Sequence, residues 1–264
     1  AARAADAPVT FIAATGDDAF GRDTMDHLRG ENLDLRFVKT VADQPTGVAL
    51  ILVDRYGENL ISVASGANLS LTPADVDAVP EDVFRSAAIF LACLESPLET
   101  VARGLARAKQ AGLTTILNPA PANAAICGNG LLSLVDVITP NEGEAAALVG
   151  GEAAALAGGD AGQQPDATAR ARRLQQLGCR SCVITLGAAG CLVVEQDATL
   201  VEGHCVEAVD TTAAGDAFNG ALAVALAEGR PLAEAARWAN RAAAIAVTRT
   251  GAQPSLPSRA EIDA

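Results

Sequence analysis

The chain has 264 residues, half of them hydrophobic but only 3% aromatic, and a formal net charge of −13. That length and apolar content suffice for a large core built mainly from Ala, Val, Leu and Ile, in one or two domains. The negative field excludes nucleic acid and anionic membrane surfaces as general partners, no apolar run reaches the length of a membrane span, and Ala1 to Pro8 lacks the apolar stretch of a signal peptide.

In chain order, strands are expected at Val9 to Ala13, Ala88 to Cys93, Thr114 to Leu117, Val135 to Thr139 and Cys182 to Leu186. Each is short and apolar, the pattern of a strand buried on both faces. Helical stretches lie between them, so the fold class is α/β, with a mostly parallel central sheet covered on both sides. Ser96-Pro97-Leu98-Glu99 reads as a capping box with Pro at the first helical position. One segment breaks the alternation. Thr46 to Asp54 and Asn59 to Ser65 read as two strands joined by a turn at Arg55-Tyr56-Gly57-Glu58. Such a hairpin does not easily join a parallel sheet and is expected to form a lid, suited to pairing with another subunit. Gly150 to Pro165, rich in Ala and Gly, is expected as a surface loop, with helix resuming near Asp166.

The six cysteines are scattered, and only Cys179 and Cys182 have C-x-x-C spacing, just before a strand and without a second pair. They read as reduced thiols of a cytoplasmic protein, not as a disulfide or zinc framework. His27 and His204 lie far apart, without neighbouring ligand residues.

The most informative stretch is Ala208-Val209-Asp210-Thr211-Thr212-Ala213-Ala214-Gly215-Asp216-Ala217-Phe218-Asn219-Gly220. Phe218, Ala221, Leu222 and Ala225 then follow helical spacing, and Gly229 with Pro231 marks the stop. Small residues thus sit where a helix begins, with a carboxylate in its first turn. Free N–H groups there suit a phosphoryl group in transfer, and Gly215 with two alanines allows its close approach. From spacing alone, Asp216 serves equally well as a residue that favours the helix dipole. No G-x-x-x-x-G-K-(S/T) sequence is present, and no G-x-G-x-x-G follows a strand, which excludes a P-loop enzyme and disfavours a dinucleotide oxidoreductase.

The Asp210 to Asp216 stretch resembles the signature of the ribokinase-like carbohydrate kinase family, D-T-x-(G/A)-A-G-D. The resemblance extends through Asp17-Asp18-Ala19-Phe20-Gly21, Thr46-Gly47-Val48-Ala49-Leu50 and Gly66-Ala67-Asn68. It continues through Leu94-Glu95-Ser96-Pro97, Asn118-Pro119-Ala120-Pro121-Ala122, Thr139-Pro140-Asn141-Glu142-Gly143-Glu144 and Thr248-Arg249-Thr250-Gly251-Ala252-Gln253-Pro254-Ser255. It implies a three-layer α/β sandwich as a single domain over 1–264, with a small β lid over 44–68. The implied reaction is transfer of the ATP γ-phosphoryl group to the 5-hydroxyl of D-ribose, with Asp216 as general base and Ala213, Ala214 and Gly215 forming an anion hole. By the same resemblance Glu95 and Asp216 contact the sugar. Asn141, the Thr185-Leu186-Gly187-Ala188-Ala189-Gly190 loop, Gly215 and Asn240 serve ATP, and Glu144 serves Mg²⁺ through water. Asp210, Thr212, Ala246, Arg249, Gly251 and Ser255 are implied to hold K⁺, mostly through carbonyls. A homodimer through the lid and a cytoplasmic location are also implied. A kinase for another sugar or a nucleoside of the same family remains open, as does a non-catalytic nucleotide-binding protein. The family's opening strand with Asn-x-Asp, and its G-G-K-G-x-N segment, have no counterpart here. Ala1 to Ala5 resembles the tail of the helix that follows them, so a fragment or a displaced start is expected, in which nucleotide binding outlasts sugar binding.

Overall fold

The computed structural model of the protein describes residues 1–53, 59–156 and 166–264. It opens with β1 (Thr10–Gly16), α1 (Ala19–Gly30) and β2 (Asp34–Val41), followed by the hairpin β3 (Val48–Val53) and β4 (Asn59–Ala64). Then come α2 (Pro73–Asp77), α3 (Glu81–Ser86), β5 (Ile89–Ala92), α4 (Leu98–Gln110), β6 (Thr114–Leu117) and β7 (Val137–Ile138). The remainder comprises α5 (Glu142–Leu156), α6 (Ala167–Gln176), β8 (Ser181–Thr185), β9 (Gly190–Val194), β10 (Ala198–Glu202), α7 (Ala214–Ala227), α8 (Leu232–Ala246) and α9 (Arg259–Asp263).

Six strands form the central sheet in the order β10-β9-β8-β7-β6-β5. Neighbours from β5 to β8 run parallel, while β9 and β10 are antiparallel additions at one end. Strand alternation sends side chains to two separate cores. Ile116, Val137, Val183, Cys191, Val193 and Val201 pack with α7 and α8 on one face. Leu117, Ile138, Cys182, Ile184, Leu192 and Val194 pack with α4, α5 and α6 on the other. Burial on both sides explains why β7, β8 and β9 are short continuous runs of mostly apolar residues, and it makes three layers.

β1 and β2 pair in parallel as a separate two-stranded sheet, and Ile12 and Phe37 join a third core with Val76, Val79 and Phe84. The β3–β4 hairpin also forms its own antiparallel sheet. Its expected turn at 55–58 lies outside the described residues. The hairpin's root is clasped. Asp18, at the N-cap of α1, accepts the Thr46 N–H (2.9 Å), the Thr46 hydroxyl (2.5 Å) and the Gly21 N–H (2.8 Å). On the far side of the stem Ala67 N–H donates to the Pro45 carbonyl (2.8 Å).

Two local expectations need correction. α4 begins at Leu98 with Pro97 as its N-cap and no side-chain cap, so Ser96 and Glu99 make no capping box; Pro97, lacking an N–H, takes the boundary position itself. α5 continues to Leu156, so the expected loop does not begin at Gly150; 157–165 lie outside the described residues. Alanine-rich sequence favours helix even where apolar periodicity is weak.

Candidate active site

α7 carries nine consecutive buried residues, Ala217 to Ala225, and packs against α8. A helix apolar on all sides is held by the core around it, which fixes where its first turn points. Ala213 precedes that turn in the left-handed conformation, with φ of 61°, and supplies no side-chain cap. A residue with a Cβ adopts this conformation rarely, and such strain collects at functional turns. The result is a helix start whose N–H groups lack a capping side chain. A Cβ built on Gly215 meets no atom within 4 Å, so the space beside the turn is open.

Asp216 stands in this turn. The residue is exposed, yet the protein packed around its carboxyl desolvates it enough to raise its pKa. Glu95, just beyond β5, is likewise raised, first by desolvation and then by the negative charge of Asp216. The two carboxylates therefore share one field, although 121 positions separate them in sequence. The Cys93 thiol lies in the same group, raised mainly by burial and also by the charges of Glu95 and Asp216. Nothing in the sequence pattern singled out Cys93.

Of the residues expected to serve ATP, Asn141 and the Thr185 to Gly190 loop lie at the carboxyl ends of β7 and β8, the edge where open α/β sheets bind ligands. Thr185 N–H donates to the Pro140 carbonyl (3.0 Å), and an isolated parallel bridge joins Asn141 to Thr185. At the start of α5, Asn141 and Glu144 cap each other. Asn141 N–H donates to Glu144 Oε2 (2.8 Å), and Glu144 N–H donates to Asn141 Oδ1 (2.7 Å). Burial raises the Glu144 pKa, and the Asn141 N–H offsets part of that rise. Beyond β8, Leu186 leads into the exposed turn Gly187–Ala189, where Gly187 has φ of 57° and open space around it. Gly190 serves another purpose: a Cβ there would stand 2.2 Å from the Val201 carbonyl oxygen, so it permits β9 to cross close to β10. Asn240 is buried, and its amide donates to the Val201 (3.1 Å) and Glu202 (3.3 Å) carbonyls. Its donors tie α8 to β10.

Two of the candidate cation residues, Thr212 and Gly251, meet at a third, Asp210. This carboxylate accepts the Thr212 N–H (2.9 Å) and the Gly251 N–H (2.8 Å), joining the segment before α7 to the one after α8. The Thr212 side chain, then the Gly251 N–H, lowers its pKa. The Thr212 hydroxyl is close enough to exert that effect, yet it is buried without a hydrogen bond of full geometry. A buried hydroxyl left in that state is the kind of group an ion satisfies. Ser255 is fully buried and donates to the Ala252 carbonyl (2.7 Å), while the Ala246 carbonyl accepts from Arg249 N–H (3.0 Å). The groups these residues offer are oxygens, ligands suited to a hard cation.

The C-x-x-C pair belongs to the core and lies away from this edge. Burial pushes the Cys179 thiol up to about 12 and raises Cys182 well above the usual range, so neither supplies a thiolate near neutrality.

The chain thus combines a three-layer α/β sandwich, an aspartate at a helix start without a capping side chain, and a second carboxylate within reach of its charge. The chain belongs to the pfkB family of carbohydrate kinases, whose pattern it matches over residues 1–259. Among individual proteins it is similar to the ribokinase of Haemophilus influenzae, at 39% identity over 97% of this chain and 80% of that one. It is 36% identical to the ribokinase of Schizosaccharomyces pombe, over 98% of this chain and 80% of the relative. A solved structure of Arabidopsis thaliana ribokinase complexed with ribose and ATP superimposes with a TM-score of 0.82 at 28% identity, covering 98% of this chain and 82% of that one. Kinases of this kind use ATP with a divalent cation.

Proposed function

We propose that this protein transfers the γ-phosphoryl group of ATP to the 5-hydroxyl of D-ribose, giving ribose 5-phosphate. The observation that carries the reading is Asp216: a carboxylate in the first turn of a helix left without a capping side chain, desolvated, and within the electrostatic reach of Glu95. The ribokinase relatives support the choice of sugar.

In this reading Glu95 accepts hydrogen bonds from ring hydroxyls and orients the sugar. Asp216 accepts the proton of the attacking hydroxyl as the new P–O bond forms and the bond from the γ-phosphorus to the bridging oxygen breaks, with ADP as the leaving group; its raised pKa makes it a stronger base for that proton. N–H groups of the Ala213-Ala214-Gly215 turn face the transferring phosphoryl group, where fixed dipoles stabilise charge that develops in the transition state. Asn141, the Thr185 to Gly190 loop and Gly215 line the ATP side. Asn240 stands behind them in this reading and shapes the floor under the nucleotide. Mg²⁺ supplies charge neutralisation on the phosphates when bound, and the Glu144 carboxylate fits it through water, since Mg²⁺ keeps much of its hydration shell. Asp210, Thr212, Ala246, Arg249, Gly251 and Ser255 would hold K⁺.

The domain is one kinase unit over 1–264 with the lid inserted at 44–68, acting as a cytoplasmic homodimer joined through the lid. Both faces of the hairpin support this. Leu50 and Leu52 are exposed on one face, and Ile51 and Val63 on the other, so one face is available to the sugar and one to a partner.

Incubating the full chain with Mg-ATP and ribose, with the product read by phosphorus NMR, should give a phosphomonoester at the sugar's 5-position. Conversion of a different pentose or a nucleoside, with ribose untouched, would replace the substrate assignment. The cation reading predicts a faster rate when K⁺ replaces Na⁺ at constant ionic strength, because an ion between the two Asp210-linked segments fixes the turn that leads into α7. Equal rates in the two salts would remove K⁺ from the account.

A further inference from the structure

We infer that Asn219 is a positioning residue for phosphoryl transfer, the link that sets the anion-hole turn against the carboxyl end of β7. This rests on the kinase reading above. Asn219 is 6% exposed and Thr139 1% exposed. The Thr139 hydroxyl donates to Asn219 Oδ1 at 2.6 Å, and Asn219 Nδ2 donates to the Gly215 carbonyl at 2.9 Å. Asn118 Nδ2 in turn donates to the Thr139 carbonyl at 3.0 Å. A continuous chain of hydrogen bonds therefore runs from the end of β6, through the end of β7, to the first turn of α7.

The direction of this chain is fixed by chemistry. The Gly215 atom that meets Asn219 is its carbonyl oxygen, so Nδ2 must face it and Oδ1 must face Thr139, whose hydroxyl is the donor. No other side chain of similar size has a donor and an acceptor in those places. Asp would set a carboxylate oxygen against a carbonyl, and Leu would leave the Thr139 hydroxyl with only the Leu117 carbonyl at 3.4 Å.

The position of the chain gives it consequence for the reaction. Gly215 carries the open face of the turn, and its carbonyl belongs to the same peptide plane as the Asp216 N–H. Holding that carbonyl fixes the tilt of the plane. Thr139 lies two residues before Asn141, so the same link relates the anion-hole turn to the nucleotide-side residues. Asn219 touches neither sugar nor ATP in this arrangement; it acts through Gly215. Misplacement of reacting groups by about 1 Å can reduce a rate on the order of 100-fold.

The test compares Asn219→Leu, Asn219→Asp, Thr139→Val and Thr139→Ser in the full chain, using ribose or whichever sugar the parent consumes. Calorimetric titration with Mg-ATP counts folded sites, and kcat is expressed per site, so a partly unfolded preparation is not mistaken for a slow one. Asn219→Leu should lower kcat about 10–100-fold, with Mg-ATP affinity within about threefold and the pH profile displaced. Thr139→Val should do the same to a similar extent, Thr139→Ser should restore most of the rate, and the double variant Asn219→Leu/Thr139→Val should be little worse than either single change. If Asn219→Leu fails to fold, the Thr139 pair and Asn219→Asp decide alone. Parent-like kcat per site in the folded variants, or full additivity in the double variant, overturns the inference. A parent that consumes another sugar in place of ribose counts against the substrate reading only.

Discussion

Asp216→Asn should lower kcat by about 10²–10⁴-fold while Mg-ATP affinity changes little. The amide keeps the size of the side chain but cannot take the hydroxyl proton. The pH dependence has a defined sign. Desolvation raises the Asp216 pKa, so the proton is held to a higher pH than on an ordinary aspartate, and kcat should fall on the acid side through that raised value. The same shift acts on stability in the opposite direction. A carboxyl whose folded pKa is raised contributes stability below its unfolded pKa and loses that contribution as pH rises through the folded value. The charge at position 216 therefore gives the fold no help near neutrality, and Asp216→Asn should not lower Tm at neutral pH. Steady-state kinetics from pH 5 to 9 with parallel thermal melts checks both parts. Near-normal turnover in the variant would remove Asp216 from the role of base.

Gly215→Ala should separate folding from catalysis even more sharply. A Cβ at this position meets no protein atom within 4 Å, and Gly215 has no positive φ that would strain an alanine. Gly→Ala at a compatible site typically stabilises by about 0.4–1 kcal/mol through the unfolded state, so Tm should hold or rise. In the proposed reaction, the methyl group would occupy the space through which the phosphoryl oxygens approach the helix start. Loss of one such donor contact costs on the order of 10²–10³ in kcat, and a loss of that size is expected here. A variant that is both as stable and as active as the parent would show that the phosphoryl group passes elsewhere.

Much of this was legible in the sequence, for identifiable reasons. The doubly buried strands announced themselves as short apolar runs, and the hairpin stood out because it interrupted the strand–helix alternation. The helix start that carries Asp216 was legible in the run of small residues Ala213-Ala214-Gly215, whereas the role given to Asp216 came from the resemblance, since spacing alone fits a carboxylate that favours the helix dipole equally well. β2 was missed because Asp34, Arg36 and Lys39 interrupt its apolar residues; it sits in a half-exposed two-stranded sheet, with Asp34 paired to Arg36 and Lys39 to Asp75. β10 was missed because four of its five residues are exposed and leave little apolar signal. The Asn219–Thr139 link could not be read at all, since its partners lie 80 positions apart and each has an ordinary local role. Asn240 illustrates the converse. A residue carried over by resemblance proved to have its amide donors engaged with the backbone of β10, a commitment that only packing reveals.

The clasp at the base of the β3–β4 hairpin makes that element an exchangeable cassette. Asp18 holds Thr46 on one stem, and the Pro45–Ala67 hydrogen bond closes the other, so the two points where the hairpin leaves the body are fixed without help from its tip. Gly47 and Gly66 allow the stems to approach this closely, since a Cβ on either would lie within 3 Å of a neighbouring carbonyl oxygen. With the ends already joined, the entropy of closing the remaining loop grows slowly, by about 0.6 kcal/mol for each doubling of length. Strand length and side chains beyond the clasp can therefore drift or be replaced at small cost to the body, while the α7 start, held separately by its buried helix, stays where it is. Under the proposed function, the hairpin's sequence could vary with substrate while the α7 start keeps its geometry.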